Sequence, residues 1–239
     1  MSYEFIDLFC GAGLFTQGMK EAGHIPIAGY DKWPLAIKSY NVNHSKRGVL
    51  CDLGSYPLKD FPNVDVVIGS PPCQEFSLNN NGATRDTVLI NRFLEVIEQI
   101  KPKYWIMEEV PLVAKYVNLK KYSVHFYDAS NFGANQKRKR LFAGHYNPVL
   151  VPGERRHKVS SLTGYIARQK FSNHKEGVSN KAGQIILEYF NFENPTIPRL
   201  KTEFGLPRSY KLKGTYNQQV TQIINGVYVP LIKKLGENL

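Results

Sequence analysis

The sequence predicts an α/β fold, a mostly parallel sheet with helices on both faces. Over residues 1–146, short apolar strands alternate with helical stretches, the pattern of a parallel sheet. Glycine or acidic residues directly follow several of these strands. Ligands of such sheets bind at the carboxyl ends of the strands, which is where these residues lie. Over 147–210 the periodicity weakens and polar, glycine and proline residues dominate, which predicts a small, loop-rich second lobe. Residues 211–239 regain a helical pattern and are expected to pack back on the first lobe.

The predicted elements follow from short apolar runs and helical periodicity. Strands are predicted at 5–9, 25–30, 49–51, 64–68, 104–107, 122–127 and 141–146. Helices are predicted from the first glycine turn to residue 22, over 33–43 and over 86–100, where apolar residues recur with a 3.6-residue period. A last helix is predicted over 217–235, with Pro230 as an interruption.

The chain is strongly basic and has an odd number of cysteines. Its 31 Lys and Arg against 20 Asp and Glu give a net charge of +11, typical of nucleic-acid binders. The three cysteines, Cys10, Cys51 and Cys73, lack metal-ligand spacing, so we expect neither disulfides nor a metal site. No signal peptide or apolar run of membrane-spanning length is visible. We therefore expect a cytoplasmic or nucleoid-associated protein with no membrane partner.

The first strand-to-helix turn predicts a site for a nucleotide-like ligand. Gly11 and Gly13 lie in this turn, where glycine allows close approach of the backbone to a ligand. Asp31 ends the second predicted strand, a position from which a carboxylate can bind ribose hydroxyls. Asp52 ends the third and suits the amino group of an adenine. The third glycine of the dinucleotide fingerprint is absent, so these residues leave a dinucleotide or an adenosyl ligand open.

The loop after the fourth predicted strand presents a cysteine in a setting that suits a nucleophile. Residues 69–77 read GSPPCQEFS, so two prolines stiffen the chain immediately before Cys73. A thiolate is strongly nucleophilic, and neighbouring basic groups favour it over the thiol. A buried structural thiol fits poorly with so polar a loop.

A series of ordered motifs resembles those of the C5 cytosine DNA methyltransferases. PPCQ at 71–74, followed by Phe76 and Ser77, is similar to that family's catalytic loop, and DLFCGAG at 7–13 to its cofactor turn. Asp31 resembles the ribose-binding acid, and Asp52 with Leu53 the adenine-contacting pair. EEV at 108–110 stands where the family has Glu-Asn-Val, QKRKR at 136–140 matches Gln-x-Arg-x-Arg, and QIINGV at 222–227 resembles the last motif. Ordered motifs are far more specific than any single match.

The resemblance implies methyl transfer from S-adenosylmethionine to C5 of cytosine in double-stranded DNA, on a Rossmann-like methyltransferase sheet. Cys73 would add to C6 of the cytosine, which makes C5 enamine-like, and Glu108 would stabilise the charge that develops at N3. Arg140 would bind the cytosine O2, and Arg138 would hold the glutamate and nearby backbone. The target base must leave the helical stack for this chemistry.

The resemblance also divides the remaining site residues into two sets. The cofactor would contact Phe9, Gly11, Ala12, Gly13, Leu14, Asp31, Lys32, Asp52, Leu53, Pro72, Leu89, Asn225 and Gly226. DNA would contact Gln74, Ser77, Gln136, Arg155, Arg156 and Arg168, the last three in a target-recognition domain over 147–210. We expect a monomer acting on double-stranded DNA, with a cognate restriction endonuclease as a further partner in a restriction-modification system.

Three residues depart from the family's pattern. Glu109 replaces an asparagine, and a second carboxylate facing the same pocket would favour protonation of one of the two. Leu14 and Ile224 stand where glycines are common and would crowd the cofactor side. Three other functions stay open: a tRNA cytosine-5 methyltransferase, a catalytically weak DNA-binding or regulatory homologue and, more distantly, a dinucleotide-dependent oxidoreductase.

Overall fold

The computed structural model describes residues 1–72, 87–151 and 196–239. Within these ranges the chain forms a seven-stranded sheet in the order β3-β2-β1-β4-β5-β7-β6. The strands are β1 (Glu4–Leu8), β2 (Ile25–Asp31), β3 (Gly48–Leu50), β4 (Val66–Gly69), β5 (Tyr104–Glu109), β6 (Ser123–Asp128) and β7 (Lys139–His145). Strands β1 to β5 pair in parallel, whereas β7 is antiparallel to both β5 and β6. The predicted α/β fold with a mostly parallel sheet is confirmed.

Six α-helices accompany the sheet in the described ranges. They are α1 (Leu14–Glu21), α2 (Pro34–Asn43), α3 (Val88–Ile100), α4 (Ile197–Glu203), α5 (Tyr216–Ile224) and α6 (Val229–Glu237). The single helix predicted over 217–235 is wrong in one respect, because two helices separated by residues 225–228 occupy that range. Pro230 lies in the first turn of α6, where its missing N–H has no partner to lose, so it does not interrupt a helix.

Alternate residues of the central strands point to opposite faces of the sheet, as the pleat requires. Phe5 and Ile68 belong to a buried apolar cluster that includes side chains of α1, α4, α5 and α6. Ile6 and Met107 belong to a second cluster, which includes Phe93 of α3. The sheet therefore carries helices on both faces, as predicted. No helix in the described ranges is long and apolar enough to cross a membrane.

The described end of the predicted second lobe packs on the sheet. Leu200, Phe204, Leu206 and Tyr210 are buried in the same apolar cluster as Leu14 of α1. Residues 196–210 therefore contribute to the apolar core beside the sheet. Residues 152–195 lie outside the described ranges, and the division into domains at 1–146, 147–210 and 211–239 stays a prediction.

Candidate active site

A cavity of about 400 Å³ lies at the carboxyl ends of the central strands. The chain order of the strands reverses between β1 and β4, and ligands of open α/β sheets bind in the crevice at such a point. Of the predicted cofactor residues, Phe9, Gly11, Ala12, Leu14, Asp31, Lys32, Asp52, Leu53, Pro72, Leu89, Asn225 and Gly226 line this cavity. Gly13 is the exception, because a Cβ at this position would lie 2.4 Å from Nε2 of His44, behind the turn. One cavity thus unites segments that are distant in the sequence.

The turn after β1 has a left-handed backbone at several positions. Gly11 has a φ of 52°, and a Cβ there would meet nothing within 4 Å, so this stretch of backbone is open to a ligand. Phe9 also has a positive φ, 59°, which costs a non-glycine residue about 1 kcal/mol or more. Backbone strain of this kind concentrates at ligand sites, where the surrounding structure holds it in place.

Asp31 at the end of β2 holds the turn from the side. Its Oδ2 accepts a hydrogen bond from the Gly11 N–H at 2.8 Å, and its Oδ1 accepts one from the Trp33 N–H at 2.8 Å. Burial raises the pKa of Asp31, and these two hydrogen bonds oppose the increase. Each carboxylate oxygen has a second acceptor position, so the carboxylate can also accept from two vicinal hydroxyls of a ribose.

The rest of the cavity wall combines apolar surface with a few polar groups. Leu53 is buried, and Asp52, whose Oδ1 accepts the Gly54 N–H at 2.9 Å, is exposed beside it. Gln222 donates from Nε2 to the Lys213 carbonyl at 2.8 Å, but its buried Oε1 accepts no hydrogen bond within the described part of the chain. A ligand with an N–H or O–H donor can satisfy this acceptor.

Glu108 and Arg140 form an ion pair in the cavity wall. Arg140 Nε lies 3.0 Å from Oε1 of Glu108, whose side chain is 9% exposed against 24% for the arginine. The two residues come from neighbouring strands, because β5 and β7 pair with Glu108 opposite Phe142. The pair combines a carboxylate with a guanidinium fork, groups that suit a heterocycle with a ring nitrogen and a carbonyl oxygen.

Arg138 fastens the segment between α5 and α6 to the sheet. Its guanidinium donates to the carbonyls of Ile224 at 2.9 Å and Gly226 at 2.8 Å, and it stacks over the Phe204 ring at 5.4 Å. Of the two roles predicted for Arg138, the structure therefore shows the backbone contact, while the ion pair with the glutamate is made by Arg140. Arg138 thus shapes the cavity wall that carries Asn225 and Gly226.

The three departures from the family's pattern differ in their surroundings. Glu108 lines the cavity and Glu109 does not, because successive residues of β5 face opposite sides of the sheet. Glu109 is buried and accepts the Val110 N–H through Oε2 at 3.0 Å. The mutual effect of two carboxylates facing one pocket therefore does not arise for this pair. Leu14 and Ile224 both line the cavity, and Leu14 packs so closely on Gly226 that a Cβ there would lie 2.5 Å away.

Two of the three cysteines are poor nucleophiles in this structure. Burial, with the charges of Asp7 and Asp31 next, raises the pKa of Cys10 well above its ordinary range. Burial likewise raises the pKa of the half-buried Cys51 to about 11. Both thiols therefore stay protonated at neutral pH.

Several predicted site residues lie outside the described ranges. They are Cys73, Gln74, Ser77, Arg155, Arg156 and Arg168. Pro71 and Pro72 line the cavity and immediately precede Cys73 in the sequence. Gln136 is described and donates to the Glu203 carbonyl at 3.5 Å, but it is not among the cavity residues.

The cavity also contains residues that the motifs did not single out as site residues. They are Asp7, Cys10, Phe15, Trp33, Ser70, Pro71, Gln222, Ile224 and Val227. All of them lie inside or next to a quoted motif, so proximity to the motifs is the signal that would have found them. Asp7 is fully enclosed and accepts from the Thr16 hydroxyl at 2.6 Å and the Thr16 N–H at 3.2 Å.

The free energy of unfolding of the wild type is expected to fall as the pH rises, and Asp7→Asn is expected to remove this dependence. Burial raises the pKa of Asp7 from 3.8 to about 7, so the folded protein keeps a proton that the unfolded chain releases. This stabilisation is complete below about pH 4 and is lost as the pH rises through 7. Between pH 5 and pH 8 the free energy of unfolding of the wild type should fall relative to the variant by about 3 kcal/mol. Urea denaturation of both proteins at pH 5 and pH 8 measures this difference. If the free energy of unfolding changed equally with pH in both proteins, the raised pKa of Asp7 would be contradicted.

Comparison with known proteins assigns the chain to a family. Residues 3–150 match the sequence profile of the C-5 cytosine-specific DNA methylases. The type II methyltransferase M.XorII of Xanthomonas oryzae is 33% identical over 116 residues, which cover 44% of this chain and 27% of that protein. M.HgiDI of Herpetosiphon aurantiacus is 26% identical over 208 residues, 80% of this chain and 64% of that protein. The match to M.XorII thus spans about a quarter of that relative's length.

A solved structure has a similar fold. The Entamoeba histolytica methyltransferase EhMeth superposes with a TM-score of 0.70 at 16% identity, covering 100% of this chain and 98% of that one. At such low identity the likeness shows the fold alone. Because the profile match covers more than half of the sequence, the chain belongs to the C-5 cytosine-specific DNA methylase family.

Proposed function

We propose that this chain transfers a methyl group from S-adenosylmethionine to C5 of cytosine in double-stranded DNA, with Cys73 as the transient nucleophile. The observation that carries the proposal is the composition of one cavity. It joins a ribose-type acid, Asp31, to the Glu108–Arg140 ion pair, and its lining includes Pro72, the residue before Cys73 in the sequence. A site of this composition supplies polar groups for a nucleoside cofactor and for a flipped base.

The residues present fit S-adenosylmethionine. Asp31 would bind the ribose hydroxyls, Asp52 the adenine amino group, and Phe9 and Leu53 the apolar faces of the adenosyl group. The unfilled space at Gly11 and the unused Oε1 of Gln222 both leave room for polar contacts from a ligand. When bound, this cofactor supplies an electrophilic methyl group.

The chain's own groups would activate the cytosine. The Cys73 thiolate would form a bond to C6, which breaks the aromaticity of the ring and makes C5 an enamine-like nucleophile. Glu108, after taking up a proton, would donate a hydrogen bond or that proton to N3, where negative charge develops, and Arg140 would bind O2. After the methyl group is attached, loss of the C5 proton and breakage of the carbon–sulfur bond would release 5-methylcytosine and free thiol.

The ion pair explains how Glu108 is oriented for this role. Arg140 lies 3.0 Å away on the adjacent strand, and both side chains are largely protected from solvent. A guanidinium has donors to spare, so Arg140 can contact both the glutamate and a base carbonyl oxygen. Arg138 would act one step further out, by holding the carbonyls of Ile224 and Gly226 at the cofactor side.

The DNA itself would be held by basic and amide side chains around the cavity. Gln74, Ser77 and Gln136 would contact DNA near the flipped base, and Arg155, Arg156 and Arg168 would read or grip the duplex beyond it. A net charge of +11 supports a polyanionic substrate. We also propose that a cognate restriction endonuclease accompanies this protein in a restriction-modification system.

A methyl-transfer assay tests the proposal. Labelled S-adenosylmethionine is incubated with the full chain and mixed double-stranded DNA, with a tRNA pool in parallel, and the product base is identified. We expect 5-methylcytosine in the DNA. A duplex containing 5-fluorocytosine should trap a covalent adduct, because fluorine at C5 cannot leave as a proton does. Label in RNA alone would support the tRNA enzyme, and cofactor and DNA binding without label would indicate a regulatory homologue.

Asp31→Ala is expected to weaken S-adenosylmethionine binding by at least about tenfold, because two hydrogen bonds to a charged acceptor are lost. The variant also loses the bonds to the N–H groups of Gly11 and Trp33, which loosens the turn. Calorimetric titration of the cofactor measures the effect. Asp65→Ala is the control, since this exposed carboxylate also accepts a backbone N–H, from Glu4 at 3.0 Å, outside the cavity. Equal affinities of the two variants would show that the ribose site is misplaced.

A further inference from the structure

A buried polar group lies directly behind the turn that follows β1. His44, just after α2, and Tyr210, from the segment after α4, are 1% and 3% exposed. The Tyr210 hydroxyl donates to the Ala12 carbonyl at 2.5 Å and lies 2.8 Å from Nε2 of His44. The same Nε2 lies 3.2 Å from the Gly13 carbonyl. Two consecutive carbonyls of the turn are therefore held from the side opposite the cavity.

The proton positions in this group follow from its contacts. Tyr210 uses its only proton on Ala12, so its oxygen must accept from His44, which places the imidazole proton on Nε2. Nδ1 is then an acceptor and faces Nζ of Lys20 at 3.4 Å. Burial, with the Lys20 charge next, lowers the pKa of His44 to about 3. The imidazole is thus neutral at physiological pH and keeps one donor and one acceptor.

Both side chains are locked in place by their surroundings. The His44 ring packs on the Tyr40 ring at 4.6 Å between centroids and leaves no space for a Cβ at Gly13. Tyr210 is held through the next residue, because Asn43 accepts from the Lys211 N–H at 2.9 Å and donates to the Lys211 carbonyl at 2.7 Å. The group is consequently rigid and connects the chain around residue 210 to the turn.

The geometry points to Tyr210 and His44 as positioning residues for the cofactor turn. They do not line the cavity, whereas Gly11, Ala12 and Leu14 do, so they act through the backbone that they hold. Fixing the carbonyls of residues 12 and 13 sets the orientation of the adjoining peptide planes, which form the cavity wall. This inference rests on the proposed function in one respect, namely that the turn binds S-adenosylmethionine.

Tyr210→Phe tests the inference, because it removes one hydroxyl and leaves the packing. We expect the dissociation constant for S-adenosylmethionine to rise about five- to tenfold, the effect of one buried hydrogen bond. KM for the cofactor should rise likewise with kcat unchanged. Hydrogen exchange of residues 9–16 in the cofactor-free protein should become faster. Tyr146→Phe is the matched control, because this buried hydroxyl donates to the Phe142 carbonyl at a distance of 3.2 Å and is not part of the cavity. In this control, neither the dissociation constant for the cofactor nor the exchange rate of residues 9–16 should change more than about twofold.

The conservative variant at position 44 provides a second readout. His44→Gln keeps an N–H donor and should bind the cofactor more tightly than His44→Leu, which has none. Unchanged exchange and affinity in folded Tyr210→Phe would overturn the inference, as would equal losses in Tyr210→Phe and Tyr146→Phe. If wild-type protein bound no S-adenosylmethionine, the proposed function would fail, and the exchange rates alone would still decide whether the turn is held by this group.

Discussion

Cys73→Ala is expected to abolish methyl transfer, with turnover lowered by at least about 10⁴-fold, whereas cofactor affinity should stay within about twofold. Without the thiolate no bond to C6 forms, and C5 of an aromatic cytosine is too electron-poor to accept a methyl group. Apart from Pro72, the predicted cofactor contacts in the cavity come from other segments, so we expect them to survive the change. Label transfer to DNA measures the loss, and calorimetric titration measures cofactor binding.

Cys51→Ala is the matched control for this prediction. Cys51 is a half-buried thiol whose pKa is raised to about 11, and it is not among the cavity residues. Its removal should leave turnover within about threefold, the range of a small packing change. The 5-fluorocytosine adduct should form with Cys51→Ala and fail to form with Cys73→Ala. An adduct of undiminished yield in the Cys73 variant would exclude this cysteine as the nucleophile.

Glu108→Gln is expected to lower kcat by about 10³-fold, the middle of the range for a general acid or base. Glutamine keeps the size of the side chain and one hydrogen bond, but it cannot supply a proton to N3, and it loses the charge that pairs with Arg140 at 3.0 Å. KM for S-adenosylmethionine should change little, because the contact proposed for Glu108 is with the base and not with the cofactor. Single-turnover kinetics with saturating DNA separate the chemical step from product release.

Glu109→Gln is the control for Glu108→Gln. It tests whether removing any carboxylate from the end of β5 lowers kcat. Glu109 is adjacent in sequence and buried to a similar degree, yet it faces the other side of the sheet. Glutamine keeps the size of this side chain and an oxygen that can accept the Val110 N–H, so the substitution should leave kcat within about tenfold. If Glu109→Gln reduced kcat as much as Glu108→Gln, the assignment of Glu108 to the reacting base would be wrong.

The fold was largely predictable from the sequence because its signals are local. Every strand of the sheet lies within two residues of its predicted bounds, since a short apolar run followed by a glycine or an acid needs no distant partner to be recognised. The cofactor residues followed from motifs of fixed spacing, and nearly all of them line one cavity. The exception, Gly13, is required by the turn itself, whose backbone has a φ of 90° there.

Contacts between distant parts of the chain were not predictable in the same way. The motif QKRKR contains two arginines of equal chemistry, and only the register of β7 against β5 determines that Arg140 pairs with Glu108. The sequence pattern does not show that Pro230 lies in the first turn of a helix. A proline that is tolerated in a first turn and one that breaks a helix look the same in sequence.

By itself, the sequence determined the order of strands and helices and the chemical groups available at the strand ends. It did so because periodicity and motif spacing are properties of neighbouring residues. Only the tertiary structure decided which groups meet. It placed residues 196–210 in the core of the sheet domain and brought Tyr210 to His44, 166 residues away in the chain. Such pairings depend on how buried surfaces pack against each other, and no local pattern records that choice.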